Sequence, residues 1–161
     1  MGEGKAVILA VHVNDCLVTG SSQVLLDGFK TEINTKYKMT DLGPCKWLLG
    51  IKIDRDFELW IITLSQHTYI ESILTRFNFD DLKPSAIPMD PSALLLKSQS
   101  PTTLAGIARM KNVLYHKAVG SLMYVSMGTH PDITFATSTV AQYLENPGWE
   151  HWGVSRLPKV L

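Results

Sequence analysis

The stretch His12-Val-Asn-Asp-Cys16 is where residue type and spacing come closest to chemistry. Asn14 and Asp15 follow directly on Ala6 to Val13, a short, continuous, β-rich apolar run. A carboxylate held at the tip of a rigid strand hairpin is what two-metal phosphoryl transfer needs, because magnesium ions must be fixed while the attacking and leaving oxygens are both stabilised. By itself the motif reads as a polar β-turn, since Asn-Asp is ordinary turn chemistry. An unrelated metal site at His12, Asp15 and Cys16 is disfavoured, because alternate residues of a strand face opposite sides. Asp56 and Glu58 read as a charged hairpin turn without a catalytic part.

The elements that would hold these residues follow from periodicity. Ala6 to Val13 predicts a strand buried on both faces, Asn14-Asp15 a turn, and Cys16 to Thr19 a return strand ending at Gly20. Ser21 or Ser22 caps a helix with Leu25, Leu26, Phe29, Ile33 and Tyr37 on one face. Trp47 to Asp54 reads as one strand, with Leu49, Ile51 and Ile53 on one side and Gly50 and Lys52 on the other. Arg55 to Glu58 then turns the chain into a return strand, Leu59 to Leu64, and Ser65 caps a helix through Tyr69, Ile70, Ile73, Leu74 and Phe77.

From Asp80 to Asn112 the texture changes, with Pro84, Pro88, Pro91 and Pro101 holding half of the chain's eight prolines. Proline at that density breaks helix and sheet, so most of this reads as extended linker, with a weak helix over Thr102 to Met110. Tyr115, Val119, Leu122 and Met123 form a helical stripe. A further helix begins at Thr129-His-Pro-Asp132, with Thr129 as cap and Ile133, Ala136, Val140, Tyr143 and Leu144 on one side. The expected fold class is α+β, organised as 1–79, a proline-rich linker 80–112, and a helical region 113–161 that ends within an element.

Of 161 residues, 45% are hydrophobic and 19% charged, enough apolar mass for a core. Fifteen basic residues balance fifteen acidic ones, so no global positive field draws the chain to nucleic acid or anionic lipid, and any such binding must be local. Cys16 and Cys45 lie far apart, without the spacing of a zinc ribbon or a disulfide framework, and a reduced, intracellular setting is the expectation. The longest apolar run is strand-length, well short of the ~18 residues of a membrane span, and no cleavage site follows it. The chain starts abruptly at a strand, as a fragment would.

Taken in order, Val13-Asn-Asp15, Asp41-Leu-Gly43, Trp47-Leu-Leu-Gly-Ile51, Leu64-Ser-Gln66, Tyr69-Ile-Glu71, Pro88-Met89, Ala118-Val-Gly-Ser-Leu-Met-Tyr124, Pro131-Asp-Ile133 and His151-Trp152 resemble the copia-type (Ty1/copia) retrotransposon reverse transcriptase. No single motif suffices; their order over about Ala6 to Trp152 makes the likeness specific. The resemblance implies the C-terminal part of a polymerase palm followed by thumb-like helices. It places His12-Val-Asn-Asp15 where the family has Tyr-Val-Asp-Asp, with Mg2+ as the family's ion and an RNA or DNA template-primer as its partner.

Asp15 matches the second Asp of that motif, whereas Asn14 stands at the first, the metal-binding carboxylate. An amide oxygen carries no charge, so the site loses one of the negative charges that concentrate a hard divalent ion. His12 replaces an aromatic residue beside the primer end, and Trp47, Leu49 and Gly50 fall in the strand that grips the primer. The family's other essential carboxylate and its fingers precede this hairpin, and no counterpart stands in these 161 residues. His116 and His130 stand where relatives commonly have Arg, whose fixed charge and planar fork suit phosphate better than a neutral imidazole.

These departures imply a degenerate fragment of an RNA-directed DNA polymerase without independent activity, with productive Mg2+ binding lost and template-primer binding weak or absent. The alternatives are a polymerase part completed by another chain and a non-catalytic module that binds nucleic acid or a protein. Support for the last is slight: over 103–161, Arg109, Lys111, Lys117, Arg156 and Lys159 face Asp132, Glu145 and Glu150, a surplus of two. No membrane partner is expected. Self-association through an unpaired edge of the first strand is.

Overall fold

The structure, a computed structural model, describes residues 4–78 and 87–155. Its contacts divide the chain into two units, Met1–Lys46 and Trp47–Leu161. The architecture is α+β, with two small antiparallel sheets and six α-helices among the described residues.

In the first unit β1 (Val7–His12) pairs with β2 (Asp15–Gly20), and α1 (Gln23–Lys36) follows. Ser22 caps α1 by accepting the Leu25 N–H at 3.4 Å, which satisfies one of the orphan donors at a helix start. Leu25, Leu26, Phe29 and Ile33 are half-buried, as the spacing predicts, while Tyr37 ends the helix as an exposed C-cap. The expectation that β1 is buried on both faces is corrected: Ile8 is 63% exposed and Val11 62%. Two strands and one helix enclose too little volume to cover both faces of a sheet. No described residue of this unit is fully buried.

The second unit opens with β3 (Trp47–Leu48), β4 (Ile51–Asp56) and β5 (Ile61–Ser65) in the order β3-β4-β5. The single strand expected over Trp47 to Asp54 is broken by a tight turn at Leu49-Gly50, which have φ of 51° and 79°. Positive φ at both central residues is the hairpin turn that matches strand twist, so two short strands replace one long one. The next turn lies two residues later than expected. Asp56 accepts the N–H groups of Glu58 and Leu59 at 2.8 and 2.9 Å, drawing the loop to 57–60.

Helix α2 (His67–Arg76) buries Ile70, Ile73 and, just past its end, Phe77. Ser65 sits one residue before the N-cap Gln66 and accepts the His67 N–H at 3.3 Å. Residues 79–86, the last of the predicted first region and the start of the predicted linker, lie outside the described residues. Beyond them a 3-10 turn at Lys97–Gln99 precedes α3 (Leu104–Lys111), which Thr103 caps through the Gly106 N–H at 3.2 Å.

Helix α4 (Tyr115–Gly128) is the centre of the core. Its Ala118, Leu122 and Val125 pack with Ile70, Ile73, Phe77 and Ile133. Tyr115 and Val119 pack with Val140 of α5 (Thr134–Ala141), with Leu95, Leu144 and Trp152 at the margin. Met123, expected in the buried stripe, is 41% exposed. Thr129 is the C-cap of α4 and not the start of the next helix, which begins through a 3-10 turn at Pro131–Ile133. Helix α6 (Trp149–Ser155) closes the described chain, and no described helix is long and apolar enough to cross a membrane.

Candidate functional site

The hairpin β1-β2 carries the first group of candidates. His12 and Asp15 are cross-strand partners flanking the two-residue turn Val13-Asn14, and all four are exposed. Val13 turns with φ 54°, a conformation a β-branched residue adopts at a cost. Asp15 is therefore held by the first ladder pair of β2 and Asn14 by the turn itself. Cys16 pairs with Val11 one register step on, which sets it on the face opposite Asp15. His12, Asp15 and Cys16 do not converge.

The second group, Trp47, Leu49 and Gly50, stands on the hairpin β3-β4. Trp47 pairs with Lys52 and is 53% exposed. Leu49 and Gly50 form the turn, not the middle of a strand, and Gly50 at φ 79° occupies a region that side chains avoid. The Tyr124 hydroxyl of α4 donates to the Leu49 carbonyl, and its ring meets Tyr69 of α2 edge-on at 5.0 Å. This pins the turn to the helical core. The part played by Tyr124 was not visible in the sequence, where it appears only as the end of the Ala118–Tyr124 motif; its acceptor lies 75 residues away.

Chemically, the first hairpin presents one carboxylate, one amide oxygen and one imidazole to solvent. Magnesium takes oxygen ligands in near-octahedral geometry and is usually held through carboxylates. Among the described residues no group of three or more His, Cys, Asp or Glu side chains is placed to hold a metal ion. The donor set of this hairpin does not by itself fit a two-metal site.

Residues 1–91 match the family model of reverse transcriptase (RNA-dependent DNA polymerase). The chain belongs to this family. Over 150 residues it is 41% identical to the retrovirus-related Pol polyprotein from transposon TNT 1-94 of Nicotiana tabacum, covering 93% of this chain and 11% of that protein. Against the retrovirus-related Pol polyprotein from transposon RE1 of Arabidopsis thaliana the identity is 32% over 149 residues, covering 92% of this chain and 10% of the relative. An uncharacterized mitochondrial protein of Arabidopsis thaliana is 33% identical over 139 residues, with 86% of this chain and 54% of that one covered. No solved structure matches the chain.

The copia-type reverse transcriptase likeness drawn from the ordered motifs is thus supported by Pol polyproteins of transposons. This reverse transcriptase chain spans only about a tenth of the length of the Pol polyproteins it matches.

Proposed function

We propose that this chain is a degenerate piece of a copia-type reverse transcriptase that does not polymerise on its own. In this reading residues 1–79 are partial palm, 80–112 a linker and 113–161 thumb-like helices. Asp15 is the remaining metal carboxylate, Asn14 the degenerate one, and His12, Trp47, Leu49 and Gly50 descend from primer contacts. The observation that carries the proposal is the hairpin tip itself, which puts an uncharged amide at Asn14 beside the lone carboxylate of Asp15. Two-metal transfer stabilises both the attacking and the leaving oxygen, and it draws carboxylates from more than one strand.

The test is primer extension on RNA and DNA templates by the purified 161-residue chain with Mg2+ or Mn2+. Incorporation should not exceed that of Asp15→Ala. Asn14→Asp should also remain inactive, because restoring one charge supplies neither a second strand nor a nucleotide-holding surface. Extension above the Asp15→Ala control, or activity gained in Asn14→Asp alone, would refute the reading.

A further inference from the structure

Apart from any polymerase activity, we infer that His151 is a proton-operated latch, which ties the proline-rich segment 87–101 to α6 while its imidazole is neutral and releases it as the pH falls. The ring joins stretches of chain 55 residues apart. Its Nδ1 accepts the Gly148 N–H at 2.8 Å, and its Nε2 meets the Leu96 carbonyl at 3.1 Å. Only the neutral ring with its proton on Nε2 makes both bonds, because imidazolium carries an N–H on each nitrogen and accepts nothing.

A proton added at Nδ1 sets two donors head to head. His151 is fully buried, so no solvent reaches the ring to take up the displaced hydrogen bond. The surroundings leave little slack. A Cβ on Gly148 would lie 2.1 Å from the Gln99 carbonyl oxygen and 3.4 Å from Nδ1, so the start of α6, the ring and the segment are packed together. Tyr143 covers one face of the ring at 3.9 Å, and its hydroxyl holds the Leu95 carbonyl, next to Leu96. The conflict is relieved when the turn around Lys97–Gln99 leaves the ring and water enters.

The neighbouring side chains do not offset the charge. Helix α6 packs on α4, α5 and the 3-10 turn at Lys97–Gln99. On α4, the Tyr115 and Tyr124 hydroxyls are committed to the Val140 and Leu49 carbonyls, and His116 and Lys117 are exposed. Helix α5 carries no titratable group, and Lys97 on the turn, Glu145 on the connection and Glu150 on α6 are exposed. Arg109 of α3 already sets a cation over the Trp149 ring at 4.0 Å. The imidazole–carboxylate pairs among the described residues are His67–Glu71 and His130–Asp132, neither of which involves His151. Proton uptake therefore favours the released arrangement. By linkage the latch is complete above the range in which an exposed imidazole charges and is lost as pH falls through it.

The experiment is amide hydrogen exchange of the full 161-residue chain, with each rate expressed as protection relative to the intrinsic rate at the same pH. From about pH 7.5 to about pH 5.5, Gly148 should lose about tenfold in protection, as follows from a released imidazole that charges at about pH 6.5. Gln99, whose N–H shares the Leu96 carbonyl, should lose protection with it, while Ile73 and Leu122 inside α2 and α4 keep theirs. A triple variant, His67→Gln with His116→Gln and His130→Gln, removes the other histidines of the second unit and should respond as the unsubstituted chain does. His151→Asn, whose side-chain oxygen accepts an N–H without titrating, should show no pH step. Constant Gly148 protection overturns the proposal, as does a loss at Gly148 that Gln99 does not follow or that Ile73 and Leu122 share equally. So does a response that vanishes in the triple variant or persists in a folded His151→Asn. Should circular dichroism at about pH 7.5 show His151→Asn to be unfolded, the unsubstituted chain and the triple variant decide.

Discussion

Trp60 turns at φ 56° with 87% of its surface in solvent, so it gains little from burial and carries the steric cost of a left-handed backbone. Glycine adopts that conformation freely, and Trp60→Gly should raise stability by about 1 kcal/mol despite the entropy glycine adds to the unfolded chain. Trp60→Ala keeps the Cβ and should give no such gain. Urea midpoints of the two variants check this; equal shifts would show that the ring and not the backbone decides. Tyr115 shows the opposite balance, being buried with its hydroxyl donating to the Val140 carbonyl at 2.7 Å. Burial, and secondarily Tyr143, pushes its pKa up from 10.0 to about 12. The neutral phenol is the form the fold favours, so its contribution is complete below pH 10 and is lost as pH rises through 10 towards 12. Tyr115→Phe should cost about 1 kcal/mol at neutral pH and flatten the stability loss above pH 10, as read by denaturant melts across pH.

At the scale of elements, the segment 87–101 shows how a proline-rich stretch is held. Proline has no N–H, so such a segment is short of donors but keeps its carbonyls. The structure uses those carbonyls: Tyr143 donates to Leu95 at 2.8 Å, Asn146 to Pro101 at 3.3 Å, and His151 Nε2 meets the Leu96 carbonyl at 3.1 Å. His151 is fully buried, accepts the Gly148 N–H at Nδ1 at 2.8 Å, and stacks on Tyr143 at 3.9 Å. Because Nδ1 accepts, the imidazole is neutral and Nε2 is the donor to Leu96. His151→Ala orphans a buried N–H and opens a cavity, and should destabilise the second unit by about 3 kcal/mol in a thermal melt followed by tryptophan fluorescence. Gly148 has no room to change either, since a Cβ there would lie 2.1 Å from the Gln99 carbonyl oxygen.

At the scale of the whole chain, the two units differ in kind. The first has no fully buried residue among those described, whereas the second encloses Val119, Val125 and Ile133 completely. Apolar burial supplies most of the stability of a small fold, so the first unit should open at lower denaturant than the second. All four tryptophans, Trp47, Trp60, Trp149 and Trp152, belong to the second unit. Urea unfolding followed by far-UV circular dichroism should therefore show an early step that tryptophan fluorescence does not report. Coincident single transitions by both probes would contradict this.

Local physics was readable directly from the residues. Ser21-Ser22 before an apolar i, i+3, i+4 pattern marks the start of α1, with Ser22 taken as the cap in the fold, and the stripe Ile70, Ile73, Phe77 needs only a partner to become a core face. The ordered motifs likewise sufficed for the family, because each is a short chemical pattern that survives without coordinates. What tertiary structure decided are the matters that depend on distant chain. Apolarity in Ala6 to Val13 suits a covered strand and an open edge equally, and only the number of elements packed against β1 determines which it is. The Leu49-Gly50 turn needs the Tyr124 hydroxyl 75 residues on, and the buried His151 needs a carbonyl 55 residues back. Periodicity carries the face a side chain takes on its own element; which group meets it across the fold is settled by packing, where shape and hydrogen-bond partners are chosen together.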